Sequence, residues 1–178
     1  MSAYLLIVLA ILTRIVPHPS WLNFTAVGAS LLYFGANRSV RQFFVPVVLF
    51  AAVDYYLTVY FYNYPFHVGE YLLTWAWYVG VMLIGHYALT FKVSAFRVVA
   101  SVFASATSFF LISNFAAWLS APTLYPRTGV GLEMSYFAGL PFYGNDLLST
   151  GLISALAFGL PVAARHFFLP QDSRIPNL

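Results

Sequence analysis

Between Val98 and Leu119 the chain runs for 22 residues without a charged side chain. A helix of that length reaches roughly 33 Å at about 1.5 Å per residue. The hydrocarbon core of a bilayer is roughly 30 Å thick. Composition extends this reading to the whole chain. Of its 178 residues, 61% are hydrophobic and only 7% are charged, and the mean hydropathy is +0.81. Soluble domains carry roughly 25% charged residues. Eight Lys+Arg and five Asp+Glu are too few to solvate the surface of such a domain. This excludes a soluble enzyme, a disordered chain and a nucleic-acid binder. It predicts an integral membrane protein whose solvent and first partner is the lipid bilayer. The lack of Cys excludes a disulfide framework, a thiolate metal site and a thiol nucleophile. Tyr4–Val16 has neither a basic leader nor a small-residue cleavage site, so it reads as a retained helix rather than a signal peptide.

Six apolar segments follow. They run from about Ala3 to Val16, from Trp21 or Phe24 to Ala36, from Phe43 to Phe61, from Glu70 to Phe91, from Val98 to Leu119 and from Leu147 to Phe168. The second is short for a full crossing, and Pro161 is expected to kink the sixth. None alternates with period two, which argues for helices and against a barrel. The expected fold is all-α: one transmembrane domain, residues 1–170, of six spanning helices, with a short tail at 171–178. Basic residues support that count. Arg38 and Arg41 follow the second segment, Lys92 and Arg97 the fourth, and Arg165 and Arg174 lie at the end of the sixth and beyond it. The positive-inside rule then puts both termini on the cytoplasmic side.

The opposite side is rich in aromatic rings. Trp21, Trp75, Trp77 and Trp118 all fall in the outer half, with most of the Tyr. An interfacial belt accounts for part of this. Trp75 and Trp77 are roughly 200° apart around a helix. At least one must turn into protein, so an aromatic, outward-facing cavity is expected. Two charges fall inside the spans. Arg14 lies near the outer end of the first and Asp54 past the middle of the third, at a shared depth. An isolated charge there is costly, and a pair much less so. An Arg14–Asp54 ion pair is therefore expected, as a staple between spans or as a ligand contact. Asn114 in the fifth span needs partners, from another helix or from a ligand. Asn23 and Thr25 are placed to cap the second helix, and Glu70 to suit the positive end of the fourth. Ligand contacts are thus expected from Arg14, Asn23, Asp54, Trp75, Tyr78, Asn114 and Trp118.

Other features are read more plainly. The four His show no metal-ligand spacing, so neither a metal nor a cofactor is expected. Gly151, Ala155 and Gly159, and Ala100, Ala104 and Ser108, form small-residue stripes suited to close helix packing or to docking a partner subunit. The stretch from Ser120 to Asp146 is expected to hold a short helix over Leu132–Ala138, stopped by Gly139 and Pro141, as a lid or gate.

Several runs together carry a resemblance: Arg14-Ile15-Val16-Pro17-His18-Pro19, Asn23-Phe24-Thr25-Ala26-Val27-Gly28-Ala29, and Phe109 through Trp118, with Tyr125-Pro126, Gly131-Leu132 and Pro141-Phe142. The chain resembles an uncharacterised bacterial family of small six-helix membrane proteins. That family is similar in turn to the substrate-binding S components of energy-coupling-factor vitamin transporters. The resemblance implies a compact six-helix protein whose ligand enters from outside. S components commonly dock an ATPase-bearing module through an Ala-three-Ala spacing in the first helix. Here Ala3 and Ala10 are seven apart, so that spacing is absent. The expected function is transport or binding of a small vitamin-like or aromatic nutrient. An accessory subunit of a larger membrane complex is the alternative. An intramembrane enzyme is not expected: there is no HExxH pattern and no Ser with a base at matched depth.

Overall fold

The computed structural model describes residues 2–16 and 23–168, the last five of these by backbone alone. Pro17, His18, Trp21 and the tail from 171 lie outside the described residues. The described chain is all-helical: α1 (Ala3–Ile15), α2 (Val27–Asn37), α3 (Phe44–Tyr56), α4 (Val68–Leu89), α5 (Ala95–Ser120) and α6 (Gly129–Phe168). A 3₁₀ turn, Val40–Gln42, leads into α3, and a π turn, Leu57–Phe61, extends it. Four helices are long and apolar enough to cross a membrane: Val40–Phe61, α4, α5 and α6. α1 and α2 are shorter, at roughly 20 and 17 Å.

Local chemistry sets several of the helix ends. Ser94 caps α5, its side chain accepting from the Arg97 backbone N–H at 3.3 Å. Thr128 caps α6, its Oγ1 accepting from Gly131 N–H at 3.2 Å. Pro46 falls in the first turn of α3, where no intrahelical N–H is needed. α2 is not capped by Asn23 or Thr25, as its sequence suggested. The Ala26 N–H just before it donates instead to Thr13 Oγ1 of α1, at 3.1 Å.

α2 is the centre of the fold, with every residue from Val27 to Gly35 buried. Its neighbours pack close where its side chains are small, at Gly28, Ser30 and Gly35. Ser30 Oγ reaches the Leu6 carbonyl of α1 at 2.8 Å. A Cβ on Gly35 would overlap the Met82 carbonyl of α4, and one on Gly85 would overlap that of Leu32. Each glycine meets the carbonyl three residues before the other, the reciprocal pattern of two helices crossing in parallel at a small-residue contact. Contacts elsewhere fix the remaining directions. Phe43 meets His86 while Phe50 meets Tyr78, so α3 and α4 are antiparallel. Tyr136 bonds to Leu111 and Tyr143 to Thr107, so α5 and α6 are antiparallel too. Helix direction alternates from α1 to α6.

The outside of the bundle is apolar and parts of the inside are polar. Leu148, Leu152, Leu156 and Leu160 form an exposed stripe down α6, while Asp146, Thr150 and Ser154 are buried on its other side. That inversion suits lipid as solvent. The small-residue stripes lie largely outside as well. Ala155 and Gly159 are exposed on α6, as are Ala100 and Ala104 on α5.

One expectation is corrected. α6 begins at Gly129 and continues through Gly139 and Pro141, so no separate lid helix exists. Gly139 serves packing here: a Cβ on it would overlap the Asn114 side chain of α5. Extensive contact with α5 offsets the N–H that Pro141 lacks. Only Ala121–Thr128 connects the two helices. It is closed by Trp118 Nε1 donating to the Pro126 carbonyl at 2.9 Å and by Arg127 donating to that of Leu119.

Candidate functional site

α1 delivers Arg14 in its last turn, where a cation suits the helix dipole. α3 delivers Asp54 one turn before the π turn. Nη2 of Arg14 lies 2.7 Å from Oδ1 of Asp54, and Asp54 is only 2% exposed. Trp75 and Tyr78, three apart and so on one face of α4, complete the group. Tyr78 OH accepts from Arg14 Nη1 at 2.8 Å, and Trp75 Nε1 donates to Asp54 Oδ2 at 2.9 Å. Both carboxylate oxygens of Asp54 are thereby used. Removing two ions from water costs several kcal/mol each, so a pair this deep depends on such added bonds.

The pair opens onto a cavity of about 760 Å³. Its walls are the end of α1, Asn23 and Thr25, the π turn, and the start of α4. Arg14, Asn23, Thr25, Asp54, Thr58 and Glu70 supply polar groups, and Phe61, Tyr62, Tyr64 and Tyr71 supply rings. The π turn adds a residue to the helical turn and changes the register of the side chains after Asp54; such turns recur at functional sites. A bond of 2.5 Å between Thr58 and Tyr71 ties α3 to α4 across the wall. Beside it, Phe66, Tyr71 and Trp75 form a stack, with Phe66 and Tyr71 4.8 Å apart and Tyr71 and Trp75 6.0 Å apart.

Both tryptophans of α4 turn into protein. Trp77 goes the other way from Trp75, donating to Ser108 Oγ of α5 at 3.0 Å and packing on Phe109 at 4.5 Å. Of the residues expected to contact a ligand, Arg14, Asp54, Trp75 and Tyr78 form one cluster, and Asn23 lines the cavity in front of it. Asn23 adopts φ 65°, a left-handed conformation that Asn tolerates. Asn114 and Trp118 lie elsewhere. Asn114 turns back on its own helix, donating to the Phe110 carbonyl at 2.7 Å, and Trp118 holds the α5–α6 connection.

Asn114 does line a second cavity, of about 320 Å³, beside Asn23, Tyr125, Gly139 and Phe142. Below it lies a space of about 20 Å³ that reaches Asp146. Sequence reading placed Asp146 at the end of a loop, yet it is 4% exposed inside α6. The i, i+4 spacing of Asp146, Thr150 and Ser154 was the available signal. Among the described residues no group of three or more His, Cys, Asp or Glu is placed to hold a metal.

Trp75→Phe keeps a ring in the stack and removes the bond to Asp54 together with part of the indole's packing. Bonds to charged groups contribute about 1.5–3 kcal/mol. A loss of about that size is expected in thermal unfolding in detergent, and no loss would show that Asp54 does not depend on Trp75.

A family model matches residues 1–172. The chain belongs to that family, described as a family of unknown function, DUF6580. Comparison with curated proteins and with solved structures finds no match. The family description carries no activity or ligand, so function rests on the site itself.

Proposed function

We propose that this chain is a six-span transport or solute-binding protein of the bacterial inner membrane. It resembles S components in its size and helix count, and both termini face the cytoplasm. Its ligand is a small vitamin-like or aromatic nutrient held in the cavity in front of Arg14 and Asp54. The observation that carries this reading is an ion pair between a buried Asp54 and a part-exposed Arg14 at the foot of a ring-lined cavity of about 760 Å³. Sites for small organic molecules are concave, largely apolar, and polar at a few fixed points. Two of the five Arg14 donors are engaged by Asp54 and Tyr78. Those left suit a carboxylate or carbonyl on the solute, and Tyr62, Tyr64 and Tyr71 suit its ring.

Alternating helix direction supports six spans. α1 and α2 need not reach lipid along their whole length, because flanking backbone buried in protein is tolerated at membrane depth. Arg38, Arg41, Lys92 and Arg97 flank the same end of the bundle, which suits the inner side.

Ligand-dependent thermal stabilisation of the purified protein tests the reading. A panel of aromatic and heterocyclic nutrients, some with a carboxylate, is added in detergent. Binding at a hundred times the dissociation constant stabilises by about 2.7 kcal/mol, so a rise of several degrees is expected for one chemical class. A folded protein that responds to none of them would sink the proposal. The accessory-subunit reading is favoured by one observation, the outward groove at Gly80, Ala100 and Ala104 between α4 and α5. Recovery of the chain alone and monodisperse in mild detergent would count against it.

A further inference from the structure

The second carboxylate inside the bundle has no counterpart to Arg14. Asp146 faces inward from α6, and among the described residues no cationic side chain pairs with it. A lone carboxylate ion at this depth is expensive, and such residues usually mark ion or proton pathways. Its surroundings are built from oxygen. Thr150 lies one turn further along the same face of α6, and the two side chains interact. Ser105 Oγ of α5, and Ser154 Oγ one turn beyond Thr150, are fully buried and have no hydrogen-bond partner.

Two of these hydroxyls, those of Thr150 and Ser105, lie side by side at Gly28. A Cβ at Gly28 of α2 would sit 2.6 Å from Thr150 Oγ1 and 3.3 Å from Ser105 Oγ. The glycine thus lets α2, α5 and α6 pack closely at these two hydroxyls. The space that reaches Asp146 holds about 20 Å³, enough for one water-sized body. It shares the walls Asn23, Phe109, Asn114 and Gly139 with the second cavity above it. Tyr143 is the titratable neighbour in that space. Its hydroxyl is engaged with Thr107 at 3.0 Å. What α5 and the residues from Asn23 to Gly28 present there is neutral.

We propose that Asp146, with the hydroxyls of Thr150 and Ser105, binds a monovalent cation, a sodium ion or a proton, drawn from the outer side through the second cavity. Either one neutralises the carboxylate, and hard cations favour this oxygen donor set. The site lies apart from the Arg14–Asp54 cavity, with Asn23 lining both, so bound cation and bound solute can influence one another. It supplies the solute-binding reading with an ion gradient as energy source. It is tested without any organic solute, so it can fail or succeed independently of that reading.

The full chain is melted in choline chloride, then with sodium chloride replacing choline at constant ionic strength, and in choline across the neutral pH range. Asp146→Asn is run beside it. A sodium site raises the melting temperature of the native chain by about 3–5 °C at ten times the dissociation constant, with no rise in Asp146→Asn. A proton site shows no sodium effect. Instead the native chain loses stability as pH rises, because the ionised carboxylate is left without a partner, while Asp146→Asn stays flat. Should Asp146→Asn fail to fold, Thr150→Val serves. It keeps the side-chain shape, removes one oxygen, and is expected to displace the sodium midpoint or the pH midpoint. Native and variant chains responding identically to both sodium and pH would overturn the proposal.

Discussion

Asp54→Ala will cost about 3 kcal/mol of stability, because it leaves Arg14, largely shielded at the foot of the cavity, charged and without its partner. Arg14→Ala will cost a similar amount, since it strands a carboxylate that is 2% exposed. In detergent either variant melts well below the native chain or fails to accumulate. The double variant Arg14→Met with Asp54→Leu behaves differently. Replacing a buried pair by apolar side chains of similar volume is often neutral or stabilising, so most of the lost stability returns. Solute binding does not return with it, because the polar groups at the foot of the cavity are gone. The non-additive cycle measures the pair's coupling. Full recovery of both folding and binding would reduce the pair to a staple between α1 and α3.

The contact between α2 and α4 gives a second large effect. Gly35→Val and Gly85→Val each place a side chain where backbone carbonyls now stand. Backbone cannot rotate out of the way as a flexible side chain can, so the helices must separate. Overpacking of this kind costs about 3 kcal/mol or more. Gly80 is the control on α4, with nothing within 4 Å of the Cβ it would gain. Gly80→Ala should be neutral, or stabilising by up to about 1 kcal/mol through helix propensity. Equal melting temperatures for all three variants would show that α2 and α4 do not touch as described.

The positions of α3, α4 and α5 were legible because lipid-depth helices need long apolar runs; with the π turn counted as part of α3, the observed ends fall within three residues of those read from the sequence. The Arg14–Asp54 pair was legible for a related reason: a charge at depth demands a partner, and few were available. Trp75 was a candidate because it and Trp77 could not both face lipid, and Tyr78 only as one of the outer-half rings; that the two share a face with the pair came from the structure. The full extent of α6 was not legible. Gly139 and Pro141 are helix breakers by local preference, and contact with α5 overrides that preference. Asp146 was missed with it, because a residue placed in a loop raises no question about its charge. Asn114 and Trp118 shared the right depth with the cavity but point elsewhere, one to its own helix and one to the connecting loop. Depth can be read from sequence, whereas the direction of a side chain around its helix depends on neighbours.

The most direct measurement is native mass spectrometry of the chain released from its own membranes in mild detergent, beside the Arg14→Met, Asp54→Leu double variant. The native chain should carry a small aromatic adduct that the folded double variant lacks. A native chain with no adduct, or an adduct retained equally by the variant, would contradict a solute site at Arg14 and Asp54.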